Sequence, residues 1–74
     1  MSPDKDLWNL FTTKTREILR EQYTPDNLKI VTEYVTALDT LIGKYAYNEE
    51  WNNEVQEYEA IHTEYGKYRW KNNV

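Results

Sequence analysis

Apolar residues recur along this chain at intervals of three and four, the period of an α-helix, and no strand-like alternation persists anywhere. In the first stretch Leu7, Trp8, Phe11, Ile18 and Leu19 gather on one side, with Thr15 and Gln22 filling gaps. The charged residues Lys14, Arg16, Glu17, Arg20 and Glu21 lie elsewhere. The second stretch carries the broadest stripe, running from Leu28 through Val31, Tyr34, Val35, Leu38, Leu41 and Ile42 to Tyr45. Lys29, Glu33 and Asp39 fall opposite, and a stripe of that width predicts a helix with two neighbours. In the third stretch Trp51, Val55, Tyr58, His62 and Tyr65 form a seam that is aromatic and partly polar.

Punctuation divides these stretches. Ser2-Pro3 and Thr24-Pro25 each read as an N-cap followed by a first helical residue, and Asn48 before Glu49 and Glu50 is a third start. Pro25 restricts Thr24 and so closes the first helix near Tyr23. Gly43 offers a C-cap for the second helix, and the alternative is a helix that runs on to about Tyr47. The short connections imply antiparallel neighbours. The expected fold is all-α, a small antiparallel three-helix bundle with helices near residues 3–23, 25–46 and 49–68. Residues 1–74 would form a single domain, with a C-terminal tail over 69–74 that frays.

Composition sharpens the picture. Seventy-four residues bury only roughly 60% of the unfolded surface, so extra stability must come from helix packing or self-association. The chain has no cysteine and one histidine, His62, which excludes disulfides and a Cys/His zinc site within one chain. Eleven aromatic residues are more than a core of this size hides. Tyr23, Tyr47, Tyr68 and Trp70 lie outside the best stripes and are the ones expected at the surface. No apolar run approaches the ~20 residues of a membrane span, and the acidic start is no secretion signal. The expected location is the cytoplasm.

The formal charge of −4 argues against general affinity for nucleic acid, but its distribution is uneven. Residues 1–24 are neutral, 25–47 carry −1, 48–65 carry −6 with no lysine or arginine, and the rest carry +3. On a helix Glu50, Glu54, Glu57 and Glu64 line up around Ile61, with Tyr68 continuing the line. Like charges at i,i+4 cost the helix a few tenths of a kcal/mol, and no base within the segment relieves them. The plain reading is a solvated face that keeps a small protein soluble. The functional reading is a patch that docks on a basic surface of another protein, including as a mimic of nucleic-acid phosphates that inhibits its target.

Three further patterns are weaker. Glu59-Ala60-Ile61-His62 has Glu-x-x-His metal-ligand spacing, yet a dinuclear site needs two such motifs and two more inward glutamates. Lys67-Tyr68-Arg69-Trp70-Lys71 interleaves bases and rings, as single-strand binders do, but adjoins the −6 segment and reads first as a helix end with dipole-complementing cations. Catalysis lacks a cysteine, a Gly-rich loop and a Ser-His-acid set. The sequence therefore predicts a non-enzymatic protein-binding module without cofactor or metal. Its contact residues would be Glu50, Glu54, Glu57, Ile61, Glu64, Tyr68 and Trp70. The rival is a structural homo-oligomer, such as a homodimer, in which the second and third helices complete a bundle between chains.

Overall fold

The computed structural model describes residues 2–72. Three helices, α1 (Pro3–Leu19), α2 (Pro25–Tyr45) and α3 (Asn52–Asn72), form a bundle about 38 Å long and 18 × 16 Å across, with a single 3-10 turn at Glu49–Trp51 leading into α3. Neighbours in sequence are antiparallel, so α1 and α3 run parallel. α1 and α2 pack most extensively, and α3 lies across both.

The local signals act largely as the sequence implies. The Thr24 side chain accepts from the Asn27 backbone N–H at 2.9 Å, and Asn48 does the same for Glu50 at 2.9 Å, each satisfying a donor at a helix start. Ser2 sits at the N-cap position of α1 but makes no side-chain capping bond. α2 runs through Gly43 to Tyr45, because Lys44 and Tyr45 are both held by the Asp4 carboxylate of α1. α1 stops at Leu19 rather than near Tyr23. Residues 20–24 are drawn out of the helix, as the Tyr23 ring packs on Tyr68 at 5.5 Å and the Gln22 carbonyl accepts from the Asn27 side chain at 3.1 Å. α3 runs through Asn72, and the end of the tail expected to fray, residues 73–74, lies outside those described.

Two clusters make the core. At one end Trp8, Leu38, Leu41, Trp51 and Ile61 are buried together, with Phe11, Ile42, Tyr45 and Tyr58 packed around them. Trp51 is stacked on Tyr45 at 4.3 Å and meets the edge of Trp8 at 5.9 Å. At the other end Val31, Val35, Tyr65 and Tyr68 pack with Ile18, Leu19, Tyr23 and Leu28. The α2 stripe is thus consumed within one chain, between α1 and α3. An inter-chain bundle built on that stripe would have to displace α1 or α3. The seam itself is rotated from its expected position. Ile61 and Tyr68 are buried, whereas His62 is exposed and Val55 and Tyr58 are half-buried.

Candidate protein-binding surfaces

The glutamate line of α3 does not stand free. Because α1 and α3 are parallel, a residue of α1 lies level with one 49 positions later: Lys5 Nζ meets Glu54 at 3.0 Å, and the Trp8 indole N–H donates to Glu57 at 2.6 Å. Arg16 takes the second Glu57 oxygen at 2.6 Å. Lys5 also donates to the backbone carbonyl of Glu50 at 2.8 Å and lies over the Trp51 ring, 5.0 Å from its centre. One ammonium group therefore ties α1 to the 3-10 turn and to the start of α3. The second carboxylate oxygen of Glu54 is buried without a hydrogen-bond partner.

The seven residues expected to form one contact surface are accordingly divided. Glu54 and Glu57 are structural, neutralised by Lys5 and Arg16 of the first helix, so the wet and unneutralised ridge is not formed. Ile61 and Tyr68, at 4% and 8% exposure, belong to the core and are not available as anchors. Glu64 is exposed and pairs with Lys67 of its own helix at 3.4 Å. Glu50 keeps an exposed side chain, and Trp70 stands 80% exposed on the outward face of α3. Among the other rings expected outside, Tyr47 is fully exposed and Tyr23 is half-buried. The pairing was legible in principle. Lys5 and Trp8 share the i,i+3 spacing of Glu54 and Glu57, and the parallel run of the two helices decides which carboxylate each one meets.

Charge is separated along the bundle. Phe11 of α1 meets Tyr34 of α2 with ring centres 6.0 Å apart, and the 49-residue offset brings α3 level there near residue 60. On one side of that plane residues 2–11 and 35–60 hold eight carboxylates against two lysines, a balance of −6. Residues 12–34 and 61–72 hold five carboxylates against seven bases, a balance of +2. In the acidic half Asp4 is satisfied by the Tyr45 hydroxyl and by Lys44 at 3.1 Å, which hold its carboxyl below the usual range and raise the Lys44 ammonium. Tyr58 donates to Asp39, and burial followed by that carboxylate pushes its phenol up to about 12. Glu49 and Glu50, beside Tyr47 on the α2–α3 turn, form no ion pair among the described residues.

No protein family, curated protein or solved structure matches the chain.

The basic half has a different relief. Shallow grooves of about 280 and 450 Å³ open between the end of α1 and α3, the first lined by Arg16, Leu19, Arg20, Ile61 and Glu64 among others, the second by Glu21, Tyr23, Glu64, Lys67 and Tyr68 among others. Among the described residues no three His, Asp or Glu side chains converge as a metal site would require, and no helix is long and apolar enough to cross a membrane. His62 stands between the rings of Tyr58 and Tyr65, at 5.4 and 6.1 Å, rather than beside a second ligand.

Proposed function

We propose that this chain is a non-enzymatic protein-binding module that docks its acidic half on a basic surface of a partner protein. The observation that carries the reading is the lengthwise charge separation, which ends in a turn where Glu49 and Glu50 have no ion pair among the described residues and stand beside the fully exposed Tyr47. A charged end accelerates encounter with an oppositely charged patch, and an exposed ring supplies the desolvated contact that slows dissociation. The glutamates that do this are those left over after α1 has taken Glu54 and Glu57. Where the basic patch is a nucleic-acid-binding one, occupancy would inhibit it by competing for the same cations. A cysteine-free chain suits the reducing cytoplasm.

The test is capture from an extract at low and at high salt, comparing the natural chain with Glu49→Lys/Glu50→Lys and with Tyr47→Ala. The expected result is a basic protein retained at low salt, lost with charge reversal, and held less long by the alanine variant. Retention indifferent to salt and to both variants, or no retained protein, overturns the proposal.

A further inference from the structure

Five large apolar side chains are substantially exposed: Tyr47 and Trp70 near opposite ends of the bundle, and Leu7, Leu10 and Ile30 at 42%, 47% and 42%. The last three share one flank. Around α1, Phe11 and Asp4 mark the direction of α2, and Lys5 and Arg16 mark that of α3. Leu7, Leu10 and Lys14, at i, i+3 and i+7, fall on the far side of Phe11 from α3. Around α2, Tyr34 and Lys44 mark the direction of α1, and Thr32 and Asp39 mark that of α3 through their bonds to Tyr65 and Tyr58. Ile30 and Ala37 fall on the side away from α3. The α1–α2 layer therefore presents a second apolar face, outward, with Phe11 and Tyr34 half-buried at its floor.

We propose that this face binds a second copy of the same chain, forming a two-fold dimer in which the two bundles lie antiparallel. Three observations select that occupant. The whole bundle measures about 38 × 18 Å on its broader side, so face-to-face packing over the full length would cover on the order of 700 Å² per copy, close to the roughly 800 Å² of an ordinary stable interface. The charge separation favours the antiparallel arrangement, which sets the −6 half of one copy over the +2 half of the other, whereas a parallel pair would set −6 over −6. Finally, the charges on the flank are self-complementary about a single level. With the two-fold axis at the height of Leu10, residue n of α1 faces residue 20 − n of its partner, which brings Asp6 opposite Lys14. On α2 the same height corresponds to Val35, since Phe11 is level with Tyr34, and there Asp26 comes opposite Lys44. The symmetry doubles both pairs. Lys44 is 64% exposed despite its bond to Asp4 and so can serve a second carboxylate. Four helices, α1 and α2 from each copy, would then share a common apolar layer, with α3 and the Tyr47 turn left outside.

The inference is independent of the proposed docking of the acidic half, since Glu49 and Glu50 take no part in it. The test uses the absence of cysteine. Leu10→Cys lies on the predicted axis and should form an inter-chain disulfide rapidly on mild oxidation, while Lys29→Cys, on another face of α2, should not. Sedimentation equilibrium should show a monomer–dimer equilibrium whose dissociation constant rises at least about tenfold in Leu10→Glu. The circular dichroism of that variant should stay unchanged, because the side chain is half exposed. Asp6→Lys should weaken the dimer, and Asp6→Lys with Lys14→Asp should restore it. A strict monomer at millimolar concentration overturns the proposal and leaves the flank to another chain. A dimer that tolerates Leu10→Glu, or equal cross-linking at positions 10 and 29, overturns it as well.

Discussion

The two ends of this bundle solve the same packing problem with different materials. At the acidic end two tryptophans and a tyrosine interlock, and ion pairs bind α1 to both other helices: Lys5 to Glu54 and Lys44 to Asp4, with Arg16 reaching across from the basic half to Glu57. At the basic end two valines and two tyrosines fill the centre. The tyrosine hydroxyls are tied to Thr32 at 2.8 Å and to the Gln22 carbonyl at 3.4 Å, and the only ion pair there among the described residues lies within α3. Rings with polar tips leave grooves where fully apolar side chains would close them. One end is locked by shape and charge together, and the other is held by hydroxyls. Stability should therefore be concentrated at the acidic end.

The sharpest way to break this contrast is to remove one buried side chain from each side. Trp51→Ala should cost about 3–5 kcal/mol by emptying the stack between Tyr45 and Trp8, enough to unfold much of so small a domain. Val35→Ala, at the other end, should cost about 1–2 kcal/mol. Urea titrations followed by circular dichroism measure both, and equal losses would abolish the distinction. Next in size is Glu57→Ala, which strands the indole N–H of buried Trp8 and frees Arg16. A loss of about 1–3 kcal/mol is expected, against almost none for Glu64→Ala in its exposed pair. A double-mutant cycle with Arg16→Ala would separate the two roles of Glu57.

The open end also contains a correctable defect. The hydroxyl of Thr15 is fully buried with no hydrogen-bond partner. Thr15→Val keeps the shape and removes the unsatisfied group, so a stabilisation of about 1 kcal/mol is expected in the same titrations. The smallest effect concerns pH. The folded Tyr58 phenol lies near 12, above its ordinary value near 10, so the fold holds that proton more tightly than the unfolded chain does. Its contribution is whole below pH 10 and is lost as pH rises toward 12. Tyr58→Phe should flatten the decline in melting temperature across that window. Ultraviolet titration should find one fewer late-ionising phenol.

The helices themselves were legible because period, caps and prolines act locally. The broad stripe of α2 correctly implied a helix with two neighbours. What the sequence hid depended on contacts distant in the chain. α1 ends at Leu19 because Tyr23 is drawn to Tyr68, a partner 45 positions away that no window can see. α3 carries two competing lines, one aromatic and one acidic. The helix buries the boundary between them, since Lys5, Trp8 and Arg16 make the acidic side acceptable to α1. A count of charges segment by segment overlooks that neutralisation. Of the expected contact residues, Glu50, Glu64 and Trp70 kept their exposure, whereas Glu54, Glu57, Ile61 and Tyr68 were claimed by the fold.

The unequal placement of the three tryptophans gives this protein a built-in optical label for each region. Trp8 and Trp51 are sealed in the acidic-end cluster, while Trp70 stands in water on α3. Iodide should extinguish the red-edge emission of Trp70 first and leave a bluer remainder from the enclosed pair. The exciton signal of the stacked rings in the near ultraviolet should vanish only when the locked end melts. Fluorescence and ellipticity recorded on one sample would then follow the two ends separately, without any dye attached.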